Sequence, residues 1–122
     1  MAGLPTITVT WGELFDRIAD LEQASEQVTE PNDRIGLEAQ LEPLREQARA
    51  DAPGAVHAVA SELKDVIREI VRLDAEIAIA LRDDTGAVAA LVDDHRDQCA
   101  KRRELRNSID HLMRNNREGQ DG

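Results

Sequence analysis

Apolar residues along this chain recur mostly at steps of three and four, the spacing of one face of a helix. Trp11, Leu14, Ile18, Leu21, Ser25 and Val28 make the first such stripe, with Phe15 beside it. It is preceded by T-W-G-E (10–13), in which Thr10 can cap the backbone NH of Glu13 while Glu13 reaches back. Pro31, in T-E-P-N-D (29–33), ends this helix because it lacks an NH and restricts its predecessor. Leu37, Leu41, Leu44 and Ala48 form a second stripe. Pro43 lies inside it, which predicts a kink or a restart there. Val56, Val59, Leu63, Ile67, Ile70, Ile77 and Leu81 form a third, heptad-like seam interrupted once by Asp74. D-D-T-G (83–86) reads as a tight turn. The fourth seam is Val88, Leu91, His95, Gln98 or Cys99, Arg102, Leu105, Ile109 and Leu112. The predicted helices are 11–28, 33–50, 55–83 and 87–116, followed by a polar tail (117–122) expected to fray.

One segment breaks the helical period. In T-I-T-V-T (6–10) Ile7 and Val9 alternate with Thr, as in a short strand. Nothing else in the chain reads as its partner, so its backbone groups would either face water or pair with a second copy across a two-fold axis. The expected fold is therefore all-α: a single-domain, elongated antiparallel bundle in which a long hairpin of the third and fourth helices is covered by two shorter ones, with an N-terminal strand arm. A thin bundle of 122 residues leaves apolar seam uncovered unless it dimerises, and a homodimer is expected on that ground.

Composition sharpens this picture. Only Trp11 and Phe15 are aromatic, so the core is built from aliphatic residues, which suits helix-on-helix packing. The net charge of −10 argues against a general binder of nucleic acid or anionic membrane. That charge is uneven: residues 95–122 hold seven Lys or Arg against five Asp or Glu, whereas the first 94 hold eight against twenty. A basic last helix lying against acidic neighbours accounts for the asymmetry. The run K-R-R-E-L-R (101–106) lacks the interleaved aromatics of a nucleic-acid surface. Cys99 is alone, so no internal disulfide framework exists. No apolar run approaches the roughly 18 residues of a membrane span, and no secretory h-region follows Met1, so a cytoplasmic location is expected.

Three polar residues fall on the seams of the long hairpin: Asp74, His95 and Arg102. Folding about residue 85 sets Asp74 opposite His95, with Arg102 two turns further on. A charge buried without a partner is costly, so these groups should pair with one another or with Glu22. One reading is a buried network that fixes helix register; the other is a ligand pocket or acid–base site with His95 as its titrating group. His95 and Cys99 share a helix face at i, i+4. No His has Glu three residues before it, as bundle di-iron sites require, and two ligands make no zinc site, so no metal or cofactor is expected. Mid-helix, Cys99 lacks the helix N-terminus that would activate a nucleophile.

The stretch I-T-V-T-W-G-E-L-F-D-R-I-A-D-L-E (7–22) resembles the opening of the bacterial domain of unknown function 6165 family, whose members begin with a short strand and a motif close to V-[ST]-[WY]-G-E-L-x-D-[KR]-I-x-x-L-E. Thr10, Trp11, Gly12, Glu13, Leu14, Asp16, Arg17, Ile18, Leu21 and Glu22 fit it. The break T-E-P (29–31), the acidic Asp74 and the basic stretch 101–110 are similar as well. Ala24, Val71 and Ala78 stand where the family carries Lys, Trp and Arg. The resemblance implies a short helical protein without established activity, whose relatives sit among envelope-polysaccharide functions. Two functional readings result. The first is a non-enzymatic, homodimeric helical interaction protein that engages a protein partner. The second is a small-ligand-binding or catalytic bundle using Glu13, Asp16, Arg17 and Glu22 with Asp74, His95 and Arg102.

Overall fold

In the computed structural model, which describes residues 10–83 and 86–121, every regular element is a helix. They are α1 (Trp11–Gln27), α2 (Pro31–Asp51), α3 (Gly54–Arg82) and α4 (Val88–Asp121). The strand expected over 6–10 lies outside the described residues except for Thr10, which is the N-cap of α1; its hydroxyl accepts from the Glu13 NH at 3.1 Å. Pro31 does more than stop α1. It occupies the first turn of α2, where an absent NH costs nothing, so α2 starts earlier than the position-33 expectation. Pro43 causes no restart: α2 runs through it. Both Pro43 and Ala39, whose carbonyl loses its partner, are exposed, so water replaces the missing bond. At the other end, α4 continues to Asp121 rather than stopping at 116.

Backbone packing is α3 on α4, with α1 against both and α2 against α1. The cross-helix pairs give directions. Phe15–His57, Glu22–Lys64 and Glu26–Arg68 set α1 parallel to α3, while Gly12–Asp110 and Asp16–Arg106 set it antiparallel to α4. Because α1 is covered on two sides, it buries Phe15, Asp16 and Ala19 as well as Leu14, Ile18 and Leu21. One continuous core joins Leu14, Phe15, Ile18, Leu41, Leu63, Ile67 and Ile109.

The seam of α4 follows the predicted positions, and Ile109 is fully buried. That of α3 does so at Val56, Val59, Leu63, Ile67, Ile70 and Ile77, all buried or half-buried, but Asp74 and Leu81 are exposed, and Val66, Leu73 and Ala80 are buried in addition. Val56, Leu63, Ile70 and Ile77, with Val59, Val66, Leu73 and Ala80, keep a strict seven-residue repeat facing α4. Ile67 stands outside that repeat and, with Val56 and Leu63, belongs to the core that α1 shares. Extending the stripe from Ile67 leads to Asp74 and Leu81, which lie past the end of α1.

Candidate functional site

At the α1–α4 junction, Gly12 brings the two backbones together. A Cβ added there would sit 2.4 Å from the Arg106 carbonyl oxygen, so only glycine fits. The Gly12 NH donates to Asp110 Oδ1 at 2.7 Å. One turn later the buried Asp16 carboxylate receives both Arg102 Nε (2.7 Å) and Nη2 (2.5 Å), with Arg106 Nε at 3.8 Å. The fork-to-carboxylate geometry fixes orientation as well as charge. It raises the pKa of Arg102, mainly through the bonds to Asp16, against the opposing effect of burial. Arg102 thus pairs with α1 and not with Asp74 or His95.

A second group lies where α2 and α3 flank α1. Glu22 Oε2 accepts from Arg45 at 2.9 Å, and Lys64 Nζ stands 3.8 Å away. Arg45 also reaches Glu38, and Lys64 reaches Glu26, which takes both Nε and Nη2 of Arg68. These bonds, from Arg68 first and then Lys64, hold the Glu26 carboxyl down at about 2. Glu38 is lowered chiefly by Arg45, and Arg45 is raised chiefly by Glu22. Below this network is a groove of about 320 Å³ floored by Phe15, Ile18 and Ala19, with the His57 ring edge-on to Phe15 at 5.6 Å.

The third place is the upper hairpin. His95 Nε2 lies 2.7 Å from Asp74 Oδ1, and its Nδ1 lies 3.6 Å from Cys99 Sγ. The side chain of Asp74 is 62% exposed, so the interior pocket expected around it does not form. The reason is the phase of α3: position 73, not 74, faces α4. Asp74 and Cys99 engage opposite ring nitrogens and cannot converge on one ion. No group of three His, Cys, Asp or Glu among the described residues is arranged to hold a metal.

Glu13 and Arg17 are on none of these. They are exposed and line a shallow depression with Leu14, Leu21, Gln40 and Leu44. The seven residues singled out from sequence are therefore distributed: Asp16 with Arg102, Asp74 with His95, Glu22 with two cations of other helices, and Glu13 with Arg17. Arg45, Lys64 and Asp110 had no signal in sequence, since each is one charged residue among many at helical spacing. Gln23 is buried with its Oε1 unpartnered among the described residues, again without any pattern to announce it. Compared with known proteins, the chain matches no family model, no curated protein and no solved structure. No described helix is long and apolar enough to cross a membrane.

Proposed function

We propose that this chain is a non-enzymatic helical interaction protein of the cytoplasm that self-associates. The observation carrying this reading is where its charged and apolar groups are placed. Asp16, Glu22 and Arg102, the groups best suited to bind or catalyse, join helices to one another. Among the described residues, three of the five exposed large apolar residues, Val71, Leu81 and Val92, lie on the α3/α4 hairpin beyond the end of α1. Exposed apolar residues gathered on one projection are what a binding surface requires. Sedimentation equilibrium of the full chain at micromolar concentration tests it. Twice the chain mass is expected, and a strictly monomeric species overturns the self-association.

A second reading is favoured by the groove over Phe15, Ile18 and Ala19, whose 320 Å³ is at the low end of small-ligand sites, about 300–1,000 Å³. Arg45, Arg49 and Lys64 line it beside Glu22, and this reading takes a compact phosphorylated sugar as the ligand. Thermal melting with and without such compounds separates the readings. A saturable upward shift that Lys64→Ala abolishes supports the ligand site; flat melting curves across the set remove it.

A further inference from the structure

The surface that α1 covers on the hairpin does not stop where α1 does. On α3 Lys64 meets Glu22 and Glu26 of α1, and seven-residue steps from it give Val71 and Ala78, while Ile67, in the core that α1 shares, leads to Asp74 and Leu81; on α4 Arg106 meets Asp16, and the same steps backward give Cys99 and Val92. Glu26, in the last turn of α1, meets Arg68, so the track above that level carries no helix among the described residues. Its floor is apolar and small: Ala78 and Leu81 of α3, Ala89 and Val92 of α4, all exposed. From this we infer that the vacant track takes a second copy of the same hairpin, packed antiparallel, tip to root.

Register and charge select that occupant. Asp74 pairs with His95 across the hairpin, so Ala78 lies opposite Leu91, near the middle of the uncovered length. A two-fold axis beside Ala78 sets position 82 of one copy against position 74 of the other. Arg82 is largely exposed, with Asp83 Oδ1 4.0 Å from its Nε, while Asp74 gives one oxygen to His95 and remains mostly in water. Arg82 of each copy thus reaches Asp74 of the other, twice per dimer. The chain carries a net charge of −10, which opposes random self-contact. Over residues 74–97 the cations are Arg82 and Arg96 against seven acids, so each arginine is a site where a second copy can place a carboxylate such as Asp74. Ala78 and Ala89 let helices approach closely, and isologous packing closes the assembly at two copies. A tip-to-tip arrangement would instead set Arg82 against Arg82.

The inference rests on the self-association proposed above, and one series of sedimentation-equilibrium measurements separates the two. The variants are Leu81→Ser, Val92→Ser, Ile79→Ser, Arg82→Asp, Asp74→Arg and the double exchange Asp74→Arg with Arg82→Asp, each checked for helix content by circular dichroism. Wild type is expected to dimerise, and Leu81→Ser, Val92→Ser and each single charge reversal to weaken it by about tenfold or more. The double exchange should recover most of that loss, because it restores the pair with its signs inverted. Ile79, exposed on the face away from the track, serves as a control, and its replacement should leave dimerisation unchanged. A monomeric wild type removes the self-association and this interface together. A dimer indifferent to Leu81→Ser and Val92→Ser, or one that the double exchange fails to rescue, overturns the antiparallel interface and leaves self-association standing.

Discussion

Leu63 and Leu73 lie on the same helix, face the same partner and are equally shielded from water, yet they belong to different kinds of structure. Leu63 is part of the core to which α1, α2, α3 and α4 all contribute. Leu73 is outside that core and is held by the α3–α4 seam alone. Below the level of Arg68 the hairpin is braced by α1; above it, among the described residues, the two helices have only each other. A core of several helices loses many contacts when one side chain shrinks, whereas a two-helix seam can close up or fray. The comparison predicts that Leu63→Ala costs about 4 kcal/mol in urea unfolding and Leu73→Ala about 2 kcal/mol, the upper part and the lower end of the range for such cavities. Native-state hydrogen exchange sharpens it: amides of 70–82 should open at lower free energy than those of 56–67. Equal protection along all of α3 would break the distinction.

What fastens the brace is the next largest effect. At Gly12 a methyl group meets the backbone carbonyl of Arg106, which cannot swing aside as a side chain could. Gly12→Ala should therefore push α1 off α4 and cost about 3 kcal/mol. The same exchange at Gly36, exposed within α2 and with nothing near its would-be Cβ, should stabilise by about 0.5–1 kcal/mol through helix propensity. Two glycines in two helices thus give opposite signs, and a stabilising Gly12→Ala would contradict the packing described. Asp16→Asn comes after these. It removes the charge that Arg102 and Arg106 share at a mostly buried position, and should lower stability by about 2 kcal/mol.

The contrast between the halves also explains which parts of the fold were legible beforehand. Existence and order of the helices followed from three- and four-residue spacing, and so did the α4 seam, with His95 and Arg102 in it. On α3 the pattern changes midway because the number of neighbours changes. Val66 and Ile67 are both buried, but only Ile67 belongs to the core that α1 shares, and a one-stripe reading must choose between them. Choosing Ile67 carries the stripe to Asp74 and places an exposed carboxylate in an imagined interior. The Asp74–His95 proximity survives that error, since hairpin register depends on the turn and not on helix phase. Arg102 was misassigned for a further reason. Its partner Asp16 is far away in sequence, and no spacing rule links a residue of the first helix to one of the last.

Glu26 marks the level at which the brace ends, and the smallest predicted effect is read there. Bonds from Arg68 and Lys64 hold its carboxyl at about 2 in the folded chain, against 4.5 for an ordinary glutamate. A pKa lowered by folding contributes stability that is fully present above the ordinary value and disappears as pH falls toward the folded one. The contribution should therefore be constant above about pH 4.5 and be lost between there and about pH 2. The pair is open to water, so its size is small and salt should reduce it further. In Glu26→Gln the decline of stability across that acid window should be shallower than in wild type, with no difference in slope near neutrality. Carboxyl titration by NMR gives the direct reading. A midpoint near 4.5 would mean that Arg68 and Lys64 do not grip the last turn of α1, and that the boundary between the braced half and the arm is looser than Glu26 now makes it.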